Sequence, residues 1–314
     1  MLPPERPEQL KEKRIREIIN ECLQHIGSYR TGVSPKDGRE NWAQYEKHYH
    51  NQNHTDFVMQ EIDALFQKAS KKEGSPLQKS DGLLCQLLAG THDYDQQENS
   101  SGKNYNGGNE KRSIKWLVEK MQESEQFSAE DIEIAKVALL GTWTPVVNGQ
   151  LKQIAGEFGT GENPESTLER KIAELESTYR IKINPRIFQN PRAIAISQLL
   201  ADADLATLGN EWPIYWKSMV LFFREQHPEI KNESNTSEAR ETWEKYLQFQ
   251  VNLLNNHHYH TQVAKDRYPH CPTNSAEVSG ILTNNETLSA SFEAMLRMDS
   301  DYKPQAKTMK VISS

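Results

Sequence analysis

Leu83–Asp93 reads LLCQLLAGTHD, and the fold is decided by how this stretch is read. Leu84, Leu88 and His92 follow one another at steps of four, so His92 continues an apolar stripe instead of facing water. The spacing predicts a buried helix with Asp81 as its N-cap and His92-Asp93 at its end. An imidazole and a carboxylate at the end of a core helix are costly to bury without partners. Two arrangements satisfy them: a hydrogen-bonded His–Asp pair closing the helix, or coordination of a metal ion. The dipeptide alone leaves both open.

Outward from this helix the pattern stays helical. Leu10, Ile15, Ile18, Ile19 and Leu23 predict a helix over 8–24, followed by a loop over 27–38. Phe57, Val58, Ile62, Leu65 and Phe66 mark an amphipathic helix of about four turns. Residues 95–110, DQQENSSGKNYNGGNE, read as a long polar loop. Helices are expected over 111–123 and 130–143, the second stopped by Pro145. Ser166 and Glu169 fit a capping box for a charged helix reaching Tyr179. A long apolar helix over Ala193–Leu208 closes at Gly209, and two more follow near 212–226 and 237–256.

No strand-period run or internal repeat is found. The expected class is all-α, a helical bundle with an insertion. Residues 1–40 form an N-terminal helix and loop, 41–298 the helical domain with 145–190 inserted, and 299–314 a frayed tail.

Composition narrows the function. The chain has 314 residues, 36% of them hydrophobic, enough for one large domain or two small ones. A formal net charge of -7 without a dense Lys/Arg block argues against nucleic acid as the main partner. The three cysteines, Cys22, Cys85 and Cys271, are widely spaced and give no disulfide framework, so a reducing compartment is expected. No apolar run has the length of a signal peptide or a membrane span. The expectation is a cytoplasmic protein with no membrane partner, with non-classical secretion left open.

Two further clusters resemble His92-Asp93 in setting. Tyr49-His50-Asn51-Gln52-Asn53-His54 leads into the amphipathic helix, with His50 and His54 four residues apart. Leu200-Ala201-Asp202-Ala203-Asp204-Leu205 places two carboxylates on an otherwise apolar helix. Asp204 lies four after Leu200 and eight after Ile196 and shares their face, whereas Asp202 turns away. Each cluster alone also reads as solvated or salt-bridged. Together they supply His54, His92, Asp93 and Asp204, a nitrogen/oxygen set suited to Mn, Fe(II), Zn, Ni or Mg. A divalent ion there would activate water and polarise a phosphoryl group. His257, His258, His260, His270 and Cys271 are a further histidine-rich group, read as a solvated helix end in preference to a zinc site.

With these residues in order, the chain resembles the HD-domain metal-dependent phosphohydrolases. The likeness is to the branch of predicted metal-dependent phosphohydrolases with YHNxxH, HDxxYD…NExxS and DADLAxLG patterns. Here these are Tyr49–His54, His92–Asp95 followed by Asn109–Ser113, and Asp202–Gly209. Cyclic-nucleotide phosphodiesterases share the first two elements. The resemblance implies His54, His92, Asp93 and Asp204 as metal ligands and His50 as general acid, with Glu110 and Asp95 supporting the catalytic water. Asn51, Asn109 and Asp202 fall in the same motifs as further candidates to support the site or touch substrate. Lys111 and Arg112 are candidates to contact a substrate phosphate, against the alternative of a charged, solvated helix start.

The chain also departs from the pattern. Gln96 stands where the phosphodiesterases have His, and Thr142-Trp143-Thr144 stands where related branches carry one. One tight metal is therefore expected, the second weak or absent. The implied activity is hydrolysis of a phosphomonoester or a nucleotide-like phosphodiester by metal-activated water. The alternative is a non-catalytic metal- or nucleotide-binding sensor or interaction module.

Overall fold

Asn51 starts the helix that carries the first histidine. Its backbone is extended (φ -135°, ψ -178°) and its side-chain oxygen accepts the N–H groups of Asn53 and His54 at 2.8 and 3.3 Å. That cap satisfies two of the donors a helix start leaves open. The helix buries His54, Thr55, Val58, Ile62, Leu65 and Phe66, so His54 opens its apolar stripe. The computed structural model describes residues 6–28, 49–94, 108–143, 180–227 and 234–298, with isolated positions between them at 146–147, 150–151, 155, 173, 176–177 and 229–230.

Eleven α-helices of the described residues build the domain. They are α1 (Pro7–Ser28), α2 (Gln52–Ala69), α3 (Asp81–Thr91), α4 (Gly108–Gln122), α5 (Ala129–Gly141), α6 (Pro191–Asp204), α7 (Trp212–Gln226), α8 (Ser237–Asn256), α9 (Gln262–Arg267), α10 (Cys271–Leu282) and α11 (Asn285–Arg297). The expected all-α class holds. Val146–Val147 and Gln150–Leu151 pair as a two-residue antiparallel ladder, an addition the sequence pattern did not announce and too short to change the class. No helix among the described residues is long and apolar enough to cross a membrane.

The core helices pack around α3 and α6. Helix α3 lies against α1 and α2, and α6 against α2 and α5, so the ends of α3 and α6 and the start of α2 are close in space. The approach of α1 to α3 needs Gly90, where a Cβ would meet the Ile19 side chain at 2.9 Å. α1 outlasts its expected end because Cys22 and Ile26 extend the buried stripe of Ile15, Ile18 and Ile19. Ile181, Ile183, Ile187 and Phe188, at the end of the segment read as an insertion, join the main core. The Ser166 and Glu169 capping box and residues 299–314 lie outside the described residues.

Three expectations are corrected. Asp81 does not cap α3: Ser80 occupies that place, and Asp81 sits inside the first turn. Its carboxylate instead accepts the Gln78 N–H at 2.8 Å and Arg192 Nε and Nη2 at 2.9 and 2.6 Å. A guanidinium from α6 competes with the local cap, which pattern along the chain cannot show. Helix α4 begins at Gly108, so Asn109 and Glu110 are on its first turn and not in a loop. Helix α6 stops at Asp204, and Ala206–Gly209 tighten into a 3-10 turn. Tyr259 holds that turn: its hydroxyl donates to the Leu205 carbonyl at 3.1 Å and accepts the Gly209 N–H at 2.9 Å. Gly209 is required there, because a Cβ would lie 2.4 Å from the Tyr268 carbonyl oxygen.

Candidate metal centre

Three helix ends deliver four side chains to one point. His54 comes from the first turn of α2, His92 is the C-cap of α3, Asp93 follows it, and Asp204 is the last residue of α6. His54 Nε2 and His92 Nε2 are 3.4 Å apart. Asp204 Oδ1 lies 3.3 Å from His54 Nε2 and 3.4 Å from His92 Nε2. Asp93 Oδ2 lies 3.3 Å from His54 Nε2 and 3.0 Å from His92 Nε2. Ligand bonds of about 2.1 Å, at angles between octahedral and tetrahedral, put neighbouring donors about 3.0–3.4 Å apart. The observed spacings fall in that range. His54, His92 and Asp204 form a group able to hold a divalent metal ion. Among the described residues no other group of His, Cys, Asp and Glu has this geometry, so His257, His258, His260, His270 and Cys271 do not make a second one. His257 is not a solvated side chain either: its ring is half-buried, edge-on to Tyr259 at 4.5 Å.

The donor set is prepared for a cation. His92 Nδ1 lies 2.8 Å from the Ala89 carbonyl oxygen, which can only accept. Nδ1 therefore carries a proton in either charge state, and a ring that gives up its Nε2 proton to a bound cation turns the Nε2 lone pair toward the cluster. Burial opposes a charge on His92, but Asp93 and Asp204 overcome it and raise its pKa well above the ordinary value. Burial likewise works against charge on Asp93, and His92, His50 and His54 overcome it, holding the carboxyl well below the usual range. Asp204 is lowered against burial by its contacts with His54 and His92. Two buried carboxylates that stay ionised need positive charge between them, which protonated imidazoles or a divalent ion can supply.

A second pair flanks the cluster. Glu225, buried on α7, accepts the backbone N–H groups of Tyr49 and His50 at 2.8 and 3.0 Å on one oxygen. Its other oxygen lies 2.6 Å from His50 Nδ1. One carboxylate thus fixes both the chain and the ring of His50, whose centroid is 5.8 Å from that of His54. Phe222 packs edge-on against Tyr49 and His50 at 5.3 and 5.7 Å.

The other candidate residues are distributed as follows. Glu110 starts α4 near the centre, where burial and then the charges of Asp93 and Asp204 push its carboxyl up to about 7 against the pull of Arg112. Lys111 is 2% exposed, which overturns a solvated helix start for that residue. It is buried because α4 begins three residues before the expected helix start and turns it inward. Arg112 reaches back to the Asn109 side-chain oxygen. Asn51 is engaged in capping α2. Asp202 is not at the centre. It is wholly buried and accepts the His260 N–H at 2.7 Å, the Thr261 N–H at 2.9 Å and the Thr261 hydroxyl at 2.6 Å. Burial pushes it up to about 6 against those bonds. Asp95 and Gln96 lie outside the described residues, and the Thr142 hydroxyl donates to the Leu139 carbonyl at 2.9 Å.

No family model matches the chain, and no curated protein matches it. Sequence reasoning passed over Glu225. Its one signal was a carboxylate in the last turn of the apolar helix α7, three residues after Phe222, and a buried carboxylate calls for a partner.

Proposed function

We propose that this protein is a metal-dependent phosphohydrolase of the HD type, acting on a phosphomonoester or a nucleotide-like phosphodiester. The observation that carries the reading is the convergence of His54, His92, Asp93 and Asp204 at metal-ligand spacing beside a carboxylate-held histidine. A divalent ion held by these four residues would supply Lewis acidity, lowering the pKa of a water and polarising a phosphoryl group.

The chain's own residues supply the rest. His50 is the proton donor to the leaving oxygen. Glu225 holds its Nδ1 and stabilises the ring while it carries a proton. Glu110 accepts or relays the proton of the attacking water, its carboxyl being poised near neutrality by burial and then by the negative charges beside it. The aromatic flank of Tyr49 and Phe222 sits next to His50. An apolar flank there suits a nucleoside or other aromatic leaving group better than a purely polar one. Lys111 and Arg112 add positive charge at the start of α4. They are the candidates to balance a phosphate.

The test combines elemental analysis with turnover. Wild type and His92→Ala are stripped, reconstituted with Mn, and assayed on a chromogenic phosphodiester, a chromogenic phosphomonoester and a nucleotide panel. About one metal per chain and metal-dependent hydrolysis, both lost in His92→Ala with the helical spectrum kept, is the expected result. Equal turnover by metal-free His92→Ala would sink the reading. Stoichiometric metal with no hydrolysis of any ester would replace it with a metal-holding binding module.

A further inference from the structure

Asp93 differs from the other three donors in how it is held. His54 and Asp204 lie in helices, and His92 is the C-cap of one with its ring pinned to the Ala89 carbonyl. Asp93 lies beyond the last turn of α3, in a turn closed by the Tyr94 N–H on the Thr91 carbonyl at 3.2 Å. A ligand must sit within a few tenths of an ångström of its place to count as one. The backbone from which Asp93 reaches His54 and His92 is therefore anchored by whatever holds Tyr94.

Tyr94 is held by a three-ring stack. Its ring lies 4.1 Å from that of Trp116 on α4, at an interplanar angle of 9°, and 4.2 Å from that of His25 on α1, at 16°. Cys22 and Ile26 of α1 complete the packing, a small cluster separate from the main core. The phenol ring is thus a peg clamped between two helices that donate no ligand. Stacked aromatic pairs attract beyond their buried area, and two flat faces leave the ring little freedom to tilt. The main core cluster spans α1 to α11 without Cys22, Ile26 or Tyr94, and Trp116 packs against both clusters.

We propose that the Trp116–Tyr94–His25 stack is the positioning device for Asp93, so that metal affinity is set in part by two helices that do not touch the ion. The inference rests on the reading of the cluster as a metal centre. It assigns Tyr94, Trp116 and His25 a positioning role and no catalytic one.

The experiment measures the Mn and Zn dissociation constants of the purified full chain by competition with a chelating dye, alongside its melting temperature. The proteins are wild type, Tyr94→Leu, Trp116→Leu, Trp116→Phe and, as a control remote from the site, Phe292→Leu in the core of α11. Loss of a group that orients a ligand weakens metal binding by about 10–100-fold. Tyr94→Leu and Trp116→Leu are expected to weaken binding by that factor. Trp116→Phe, which keeps a stacking ring, is expected to restore it to within about threefold of wild type. Phe292→Leu is expected to lower the melting temperature and leave the constant unchanged. Wild-type affinity in Tyr94→Leu and Trp116→Leu, or weakening in Phe292→Leu matched to its loss of stability, overturns the positioning role while the metal centre stands. Failure of wild type itself to bind either metal overturns the metal centre, and the proposal with it.

Discussion

Asp202 and Asp204 stand two residues apart and have opposite fates. Asp204 faces two imidazoles, and Asp202 ties the end of α6 to the turn before α9. Asp204→Ala is expected to abolish stoichiometric metal binding with little loss of stability, since it removes one of two like charges from a buried site. Asp202→Ala strands buried N–H groups and is expected to cost about 2–3 kcal/mol, read by denaturant unfolding, while metal content stays near wild type. Metal loss in Asp202→Ala with full binding in Asp204→Ala would reverse the assignment. The helical period pointed to Asp204 already, because Ile196, Leu200 and Asp204 share a face. Glu225 is the opposite case, since its partner His50 is 175 residues away and no local pattern links them. Glu225→Ala is expected to lower kcat by about 10²-fold or more, the usual contribution of a positioned acid, with metal content unchanged. Undiminished kcat would remove His50 and Glu225 from the mechanism.

Helices α1, α3, α5 and α6 are joined by one ionic network. Arg192 on α6 binds Asp81 on α3 and reaches Asp131 on α5 at 3.2 Å, and Asp131 accepts Lys11 of α1 at 2.8 Å. Asp131 also closes the capping box with Ser128 at the start of α5. Burial resists its charge, yet Lys11 and Ser128 hold its pKa below the ordinary value. Arg192→Met leaves the fully buried Asp81 without its cation and is expected to cost about 3–5 kcal/mol, measured by urea unfolding. A loss under about 1 kcal/mol would mean that the network is solvated and of little weight. The elements themselves were legible, because long stripes such as Val58, Ile62 and Leu65 declare a helix without reference to anything else. Their ends were less so. α3 has a guanidinium where the pattern implied a cap, and α6 gives way to a 3-10 turn whose Leu205 carbonyl and Gly209 N–H are held by the Tyr259 hydroxyl.

Across the whole molecule, two loads on stability can be separated. A metal ion would join α2, α3 and α6 at their ends and bind only the folded chain. A metal concentration of 100 times Kd then adds about 2.7 kcal/mol, so chelation is expected to lower the melting temperature and Mn to restore it. The second load is acid. Burial, then the charges of His260 and His258, push His257 down to about 3, and burial with Lys265 pushes His260 to about 4. Both rings titrate near 6.5 when unfolded. The unfolded chain therefore binds more protons between those values. Stability is full above about 6.5 and is lost as pH falls through that window. His257→Gln is expected to flatten the fall in melting temperature between pH 6.5 and 4.5. A slope identical to wild type would show that His257 carries none of it. The sequence by itself determined the all-α class, the three clusters and the face that Asp204 shares with Ile196 and Leu200, because each is a periodic or contiguous signal along one chain; it did not show that Asp202, turned from that face, is wholly buried too. Only the tertiary structure decided that His54, His92, Asp93 and Asp204 share one point, that Glu225 grips His50, and that Tyr94 is clamped by two other helices. Those contacts join residues tens to nearly two hundred positions apart, and their distances come from packing, which no local period encodes.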